Sequence, residues 1–301
     1  MVDGPDPETI ADKFAVLSHP LRVDILMALA ETRQPSLQQR GMSYSALRTA
    51  LNESPGGRFN YHLGELQGKF VASEDGHYWL TGAGSRVVNE MYAGTFSGSA
   101  PTMSGPIDDE CPHDGKQLTG RFEDGTFSIS CPDHGVIFRK SLLFNVTTDR
   151  TMQELFVWAT RRAYQDVEAA ALDVCPSCTG RFGEPSFESV TVEDREWVES
   201  LGVEETVTVT VECQQCGMFK FAPAYYFGVI RTPARAFLYE HGIDVQSPAW
   251  DESPAEFDHD SRLLEDGVLI RFELAEEHLE LELDSSLEVR SHRRLSPDGS
   301  E

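Results

Sequence analysis

Apolar side chains recur at helical spacing near the start of the chain, and the run is interrupted at His19-Pro20. The apolar positions are Phe14, Leu17, Leu21, Ile25 and Leu29. Residues three or four apart share one face of an α-helix, and proline interrupts a helix because it has no amide hydrogen. The pattern therefore predicts two helices, over residues 7–18 and 20–31, joined by a tight turn.

Three more helices and a strand hairpin are predicted before residue 97. Ser43 is a suitable N-cap, because its hydroxyl can accept a hydrogen bond from the first helical turn. The sequence NESPGG at 52–57 predicts a turn, and Glu74-Asp75-Gly76 predicts the turn between two short strands. The predicted elements are helices over residues 44–51, 58–69 and 83–96 and a hairpin over 71–81.

The helix predicted over 58–69 has two chemically different faces. Its apolar face consists of Phe59, Leu63, Leu66 and Phe70, and its opposite face of Arg58, Asn60, Tyr61, His62 and Glu65. Arginine can pair with guanine and asparagine with adenine, while tyrosine or histidine can reach a phosphate or a base edge. The hairpin would then lie along the neighbouring DNA backbone as a wing. The predicted DNA contacts are Arg58, Asn60, Tyr61 and His62.

The composition changes after this region. The sequence SGSAPTMSGP predicts a linker. Residues 151–172 predict one amphipathic helix, and residues 268–290 alternate like antiparallel strands. The expected fold class is α+β. The predicted segments are an N-terminal winged helix–turn–helix domain over 1–96, a linker over 97–106, a β-rich C-terminal domain over 107–290 and a disordered tail over 291–301.

The formal net charge of −25 is unevenly distributed. Residues 1–100 carry 8 Lys+Arg against 11 Asp+Glu, whereas residues 101–301 carry 17 against 39. Residues 22–70 have a net charge of +2. An acidic surface repels phosphate, so DNA contact is expected only within this last stretch. Five lysines beside twenty arginines in an acid-rich chain suggest adaptation to a very salty cytoplasm, and the alternative is simply a soluble acidic protein.

Two Cys-x-x-Cys pairs predict a metal site formed by four thiolates. The pairs are Cys175/Cys178 and Cys213/Cys216, and the residues between them alternate like the strands of a zinc ribbon. Zinc takes four soft ligands in a tetrahedron and leaves no open position when all four are cysteine. We therefore predict a structural zinc ion here. One alternative is that these cysteines bind no metal and are buried or redox-active. Another is a thiol-based redox switch, in which oxidation releases the zinc.

A second metal site is suggested by two Cys-Pro-x-x-Gly knuckles, which begin at Cys111 and Cys131. Two interpretations are open. The first is a zinc site with mixed ligands, since zinc also accepts nitrogen and oxygen donors. The second is a hairpin without metal, held by Phe122, Phe127 and Phe138. The candidate ligands are Cys111, Cys131, His134 and either His113 or Asp114.

Three segments resemble the ArsR-like winged helix–turn–helix family over roughly residues 10–95. They are LSHPLRVDILMAL, RFNYHLGEL and YWLTGAG. The resemblance implies that the helix ending in His-Leu-x-x-Leu reads DNA. It also implies that two copies of the chain form a homodimer through the helices over residues 7–18 and 83–96. Arsenic-sensing members carry a cysteine pair in the preceding helix, whereas residues 43–52 contain no cysteine. The whole arrangement is similar to larger regulators of salt-loving archaea with a cysteine-rich C-terminal domain.

These observations predict a dimeric, cytoplasmic transcriptional regulator that binds double-stranded DNA, with zinc organising a domain for signal reception or oligomerisation. No effector is identified. The alternative is a scaffold that binds other proteins through the same modules. The chain contains no P-loop, HExxH or GxSxG motif, so we expect no enzymatic activity. It has no 18-residue apolar run, and its first residues lack a basic and apolar leader, so we expect no membrane association.

Overall fold

The computed structural model has an α+β architecture with several antiparallel sheets. It describes residues 6–31, 41–54, 56–96, 102–111, 114–193, 203–245 and 258–295. The chain divides into an N-terminal unit, Met1–Ala100 with Leu143–Asn145, and a C-terminal unit, Pro101–Leu142 with Val146–Glu301. Within the described stretches, no helix combines the length and the apolar character needed to cross a membrane.

The N-terminal unit consists of helices around a small sheet. Its strands are arranged in the order β1-β3-β2, and both pairs are antiparallel. The elements are α1 (Pro7–Leu17), α2 (Pro20–Glu31), β1 (Met42–Ser43), α3 (Tyr44–Ala50), α4 (Gly57–Leu66), β2 (Val71–Glu74), β3 (His77–Leu80) and α5 (Gly82–Tyr92).

The predicted helices of this unit are confirmed, with differences at their ends. The Ser43 hydroxyl accepts a hydrogen bond from the Ala46 amide at 3.2 Å, as expected of an N-cap. Helix α4 ends earlier than predicted, because Gln67 is extended and Gly68 has a φ of +73°. Helix α5 ends at Tyr92, before the predicted residue 96. The short strand β1 was not predicted; it comes directly before α3 in the chain.

The core of the N-terminal unit is built on α2 and α4. The apolar face predicted for α4 is confirmed, since Phe59, Leu63 and Leu66 are all buried. They pack in one cluster with Ile25 and Leu26 of α2. One face of α4 is therefore fixed against the unit, and Arg58, Asn60 and Tyr61 outside that face are exposed.

The C-terminal unit contains three antiparallel sheets and three α-helices within its described residues. The sheets have the strand orders β4-β5-β6-β7, β10-β9-β8 and β11-β12-β13-β14. A 3₁₀ helix at Phe144–Thr147 precedes α6 in the chain. The strands are β4 (Met103–Glu110), β5 (Gln117–Glu123), β6 (Thr126–Cys131), β7 (Gly135–Ser141), β8 (Ser186–Thr191), β9 (Glu205–Glu212), β10 (Phe219–Pro223), β11 (Asp258–Leu264), β12 (Gly267–Leu274), β13 (Glu277–Leu283) and β14 (Val289–Leu295). The helices are α6 (Met152–Ala171), α7 (Ala224–Val229) and α8 (Thr232–Glu240).

Two predicted boundaries in this unit are wrong. The linker predicted over 97–106 overlaps β4, which begins at Met103 and pairs with β5. The tail predicted over 291–301 overlaps β14, which continues to Leu295 and pairs with β13. Both strands lie at the ends of their sheets. Edge strands carry fewer buried apolar residues, so the apolar alternation that reveals a strand is weak in them.

Helix α6 connects two of the sheets of this unit. It begins with a capping box, in which Thr151 and Glu154 each bond the backbone of the other. Met152 in its first turn packs against β5, where Gly120 leaves room because a Cβ there would lie 2.6 Å from the Met152 sulfur. Near its other end, Asp166 is 4% exposed and bonds both Lys140 of β7 and Lys220 of β10.

Asp166 is the centre of a cluster of charges, which we call the Asp166 cluster. Its members are Asp166, Lys140 and Lys220, which are largely buried, and Arg162, which is 41% exposed. The two ammonium groups bond the same carboxylate oxygen, and Arg162 Nε lies 3.2 Å from the other oxygen. Burial opposes ionisation of Asp166, but the bonds from the lysines outweigh it and lower its pKa. Burial lowers the pKa of Lys140, and the nearby Lys220 lowers it further. The cluster thus holds two sheets to one helix.

Candidate metal centres and nucleic-acid interface

The four cysteines of the two Cys-x-x-Cys pairs converge in the C-terminal unit. The distance from Cys175 Sγ to Cys216 Sγ is 3.7 Å, and that from Cys178 Sγ to Cys213 Sγ is 3.5 Å. Four Zn–S bonds of about 2.3 Å in a tetrahedron would place the sulfur atoms roughly 3.8 Å apart. All six cysteines of the chain are among the described residues, and none forms a disulfide. We call this group of four residues the tetrathiolate site; its geometry fits one metal ion.

Backbone hydrogen bonds form the same tight turn after three of the cysteines. In each turn, the amide four residues after the cysteine donates to the cysteine carbonyl, and the cysteine amide donates to the carbonyl five residues on. The first set joins Gly115 to Cys111 at 2.9 Å, Thr179 to Cys175 at 2.9 Å and Gly217 to Cys213 at 3.0 Å. The second set joins Cys111 to Lys116 at 2.7 Å, Cys175 to Gly180 at 2.8 Å and Cys213 to Met218 at 2.8 Å. The turn brings the sulfur of the cysteine close to the side chain three residues later, so both can bind the same metal ion.

The turn requires a left-handed backbone four residues after the cysteine. Gly115, Gly135 and Gly217 have φ values of +66°, +68° and +69°, which glycine adopts without steric cost. Thr179 occupies the equivalent position after Cys175 with a φ of +62°. A residue with a side chain in this region costs roughly 1–2 kcal/mol, so the rest of the site must stabilise this turn.

Amide groups also point at the sulfur atoms. The Gly180 amide donates to Cys178 Sγ at 3.3 Å. The amide of Cys216 donates to Cys213, and together with that of Gln215 it lowers the pKa of Cys213 to about 7 despite burial. Hydrogen bonds of this kind favour the thiolate, which is the form that binds metals. At Cys178 the Gly180 amide acts in the same direction, but burial and the three neighbouring thiols outweigh it and raise the pKa of Cys178 to about 12. The backbone thus favours the thiolate at Cys213, whereas the crowding of four sulfur atoms opposes it at Cys178.

A second group of metal-binding side chains lies at the end of the β4–β7 sheet. His134 Nδ1 is 3.4 Å from both Cys111 Sγ and Cys131 Sγ, and Asp114 Oδ1 is 3.7 Å from Cys131 Sγ. Zinc with bonds of about 2.3 Å to sulfur and 2.0–2.2 Å to nitrogen or oxygen would place such donors roughly 3.6 Å apart. We call Cys111, Asp114, Cys131 and His134 the mixed site; it too can hold one metal ion.

Of the two alternative ligands that the sequence left open, His113 and Asp114, the structure describes only Asp114. Asp114 supplies a carboxylate at the position predicted for either His113 or Asp114, and His113 lies outside the described residues. Burial opposes ionisation of Cys131, but the amides of Asp133 and His134 donate to its sulfur and lower its pKa.

The phenylalanines proposed to hold a metal-free hairpin are partly confirmed as core residues, since Phe122 and Phe127 are fully buried.

Three of the four predicted DNA-contacting side chains are exposed on one helix of the N-terminal unit. Arg58 and Asn60 are exposed on α4, and 59% of Tyr61 is exposed. The N-cap of α4 is Gly56, which makes no side-chain capping bond. The first amides of a helix bind anions readily when no side chain occupies them. This end of α4 can accept a phosphate group.

The prediction that His62 lies on the free face of α4 is wrong, because only 7% of His62 is exposed. Arg22 of α2 donates from Nε to His62 Nδ1 at 3.2 Å, and the ring of His19 lies 3.9 Å away. Burial and these two neighbours lower the pKa of His62. His62 therefore serves as a neutral acceptor inside the unit and is not available to DNA.

Arg22 is a positioning residue that the sequence did not reveal. It is 8% exposed, and it also donates to the Val16 carbonyl at 2.9 Å and pairs with Glu65 at 3.7 Å. It thereby connects the end of α1 to α4 through α2. Its guanidinium lies 5.7 Å from the centre of the Tyr61 ring, which places that exposed ring beside a fixed cation. The only signal in the sequence was an arginine at an otherwise apolar helix position.

The tip of the β2–β3 hairpin is acidic. Glu74 and Asp75 are both exposed there, beside Gly76. Carboxylates repel phosphate, so this tip does not suit the DNA backbone contact expected of a wing. Contact with DNA would instead depend on α4.

Two protein-family models match the chain, one in its N-terminal part and one in its C-terminal part. A model described as a domain of unknown function (DUF7347) matches residues 10–91, and a second domain of unknown function (DUF7351) matches residues 108–289. No curated protein is significantly similar to the chain. No solved structure is significantly similar to it either. Because the second family model covers more than half of the chain, the protein belongs to the DUF7351 family.

Proposed function

We propose that the protein is a dimeric DNA-binding transcriptional regulator of the winged helix–turn–helix type, with a zinc-stabilised C-terminal unit that resembles zinc ribbons. The observation that carries this proposal is the free face of α4. It presents Arg58, Asn60 and Tyr61 beside an uncapped helix N-terminus, while Phe59 and Leu63 fix the opposite face.

Charge supports the same assignment. Residues 22–70 have a net charge of +2 in a chain of −25, so this stretch is where a phosphate backbone would be least repelled. In molar salt the Debye length falls to roughly 3 Å, which weakens attraction and repulsion at long range alike. Binding would then depend on close base contacts by α4 and on the combined contacts of two copies.

The proposed dimer partner is a second copy of this chain, bound through α1 and the α5 region. Ile10 and Phe14 lie four residues apart on α1, and their side chains are 37% and 59% exposed. Apolar side chains at this spacing form one stripe on a helix. Tyr92 is the last residue of α5 and Phe96 lies in the turns after it, and they are 51% and 58% exposed. A second copy would remove these apolar side chains from water.

Zinc is the metal that the donor sets favour. Four thiolates in a tetrahedron suit zinc or an iron–sulfur centre, and the nitrogen and oxygen donors of the mixed site also suit zinc. Elemental analysis of the full chain purified without added metal should find two equivalents of zinc. Iron in place of zinc would contradict this assignment.

The DNA-binding proposal can be tested by selecting duplexes with the full chain in molar salt. We expect an enriched sequence motif, and we expect Arg58→Ala and Asn60→Ala each to weaken binding to it by about 1–3 kcal/mol, the range for one good base contact. The reason is that each change removes a side chain that can pair with a base edge. Dissociation constants measured by fluorescence anisotropy would give these differences.

The matched control is Arg139→Ala, which removes an exposed arginine of the C-terminal unit and should leave DNA binding unchanged. No enriched motif, or a motif bound equally well by all three variants, would contradict DNA reading by α4. Such a result would favour the alternative function, a scaffold for other proteins. The acidic tip of the β2–β3 hairpin is the observation that favours that alternative.

Phe14→Glu is expected to convert the dimer into monomers. Burial of a phenylalanine side chain is worth about 1.5–3 kcal/mol, and the variant would place a carboxylate in the interface of both copies. Sedimentation equilibrium of the full chain would measure the dissociation constant. Lys13→Glu is a control of similar charge on the same helix, and Val88→Ala tests whether general destabilisation has the same effect. An unchanged dimer in Phe14→Glu would rule out this interface.

A further inference from the structure

We propose that the two metal sites have different roles: the tetrathiolate site keeps its ion permanently, whereas the mixed site exchanges its ion with the surroundings. The mixed site would thus be the signal-receiving site, responding to the available concentration of a divalent metal such as zinc. The signalling role rests on the proposed regulatory function, but the difference in exchange does not.

The first support is the chemistry of the donors. The tetrathiolate site offers four sulfur donors, whereas the mixed site replaces two of them with the Asp114 carboxylate and the His134 imidazole. Thiolates are the softer donors and bind zinc more tightly than carboxylate. The mixed site also carries one negative charge less, because its imidazole is neutral when it binds a metal.

The second support is competition for the Asp114 carboxylate. Lys116 Nζ lies 3.4 Å from Asp114 Oδ2, and the Lys116 amide donates to Asp114 Oδ1 at 3.0 Å. Lys116 also pairs with Asp133. An ammonium group beside a ligand carboxylate offers it an alternative partner whenever the metal leaves. The chain therefore stabilises the metal-free form of this ligand.

The third support is the relation of each site to the core. Cys175 and Cys213 belong to the largest apolar cluster of the C-terminal unit, together with Val211 and Phe227. Loss of metal there would leave thiolates in the core. Cys111 and Cys131 are also buried, but they lie outside that cluster, at the end of a sheet with its own buried Phe122. The β4–β7 sheet can therefore keep its fold when the mixed site is empty.

The fourth support is access. Both sites are open to solvent on one side, since Cys216 of the tetrathiolate site is exposed and the side chains of Asp114 and His134 are 21% and 27% exposed. Only at the mixed site are the donors on the open side the two weaker ones, so a competing ligand displaces them more easily. Ligand exchange at zinc proceeds by such an approach when one donor detaches. Asp114 is the donor expected to detach, because Lys116 can pair with its carboxylate once it leaves the metal.

The proposal can be tested on the full chain loaded with two equivalents of zinc. We would mix it with excess 4-(2-pyridylazo)resorcinol and follow the coloured zinc complex. One equivalent should be released quickly with no change in far-ultraviolet circular dichroism, and the other only when the protein is denatured. Cys131→Ser should remove the fast equivalent alone. Asp114→Cys should slow the fast release, because it replaces the carboxylate with a thiolate.

Two further variants make the test specific. Lys116→Gln should slow the fast release by about tenfold to a hundredfold, the scale on which groups next to metal ligands act. Asp108→Asn removes an exposed carboxylate from the same sheet and should change nothing. Equal release rates for both equivalents, binding of only one equivalent, or a fast phase that persists in Cys131→Ser would overturn the proposal. None of these results depends on DNA, so failure of the proposed function would be seen separately in the duplex selection.

Discussion

Cys213→Ser is expected to abolish the folded state of the C-terminal unit. Structural zinc contributes about 10–16 kcal/mol to folding in small zinc-binding domains, which exceeds the stability of most domains without metal. Cys213 is 2% exposed and lies in the same apolar cluster as Cys175, so loss of the ion would also disrupt the core around both. Thermal unfolding of the full chain, followed by near-ultraviolet circular dichroism, should lose the transition of this unit.

Cys131→Ser is the matched control, because it also removes one thiolate but from the mixed site. It should keep the transition of the C-terminal unit and lower its midpoint at most slightly. Denaturation of zinc-loaded wild-type protein in the presence of a strong chelator should reproduce the effect of Cys213→Ser. A C-terminal unit that melts normally in Cys213→Ser would show that the core alone supports the fold.

Asp166→Asn is expected to destabilise the C-terminal unit by about 3–5 kcal/mol, the usual cost of removing one partner from a buried ion pair. The amide that replaces the carboxylate would leave Lys140 and Lys220 without a negative charge, although their side chains are only 13% and 20% exposed. Chemical denaturation of the full chain, loaded with zinc, would measure the free energy of unfolding. Because the cluster is buried, molar salt should screen the effect only weakly.

Arg162→Gln is the control for Asp166→Asn. Its side chain is 41% exposed, so its pair with Asp166 should be worth about 0–1 kcal/mol. A second comparison removes the whole buried set, in the triple variant Asp166→Leu, Lys140→Met and Lys220→Met. We expect it to be more stable than Asp166→Asn, since no buried charge would remain unpaired. Equal stability of Asp166→Asn and wild type would show that water reaches the lysines.

Local sequence patterns predicted the helices well. Ser43 and the turn around Gly76 mark element ends through bonds within a few residues, and such bonds do not depend on the rest of the fold. The position of His62 could also have been found, since it lies three residues after Phe59 and one before Leu63, at the margin of the apolar face. Its partner Arg22 is 40 residues away, and no local pattern indicates that contact.

The features that the sequence did not reveal depend on distant partners. Asp166 bonds lysines that are 26 and 54 residues away, so nothing near it in the chain distinguishes it from a solvated carboxylate. The approach of Asp114 to Cys131 in the mixed site depends on the turn after Cys111 and on a partner 17 residues away. Strand β14 was missed because its exposed positions carry charges that pair across the sheet, as Arg293 does with Glu280 at 2.9 Å.

The ion pairs on β14 have a consequence for solubility. This strand ends its sheet, and its outward backbone groups would otherwise template the addition of another chain. Arg290 and Arg293 are tied to glutamates of the neighbouring strand, and exposed pairs of this kind add little to folding energy in concentrated salt. Instead, they place hydrated charged groups along this edge of the sheet. We expect these charges to keep one chain from adding to the edge of the next.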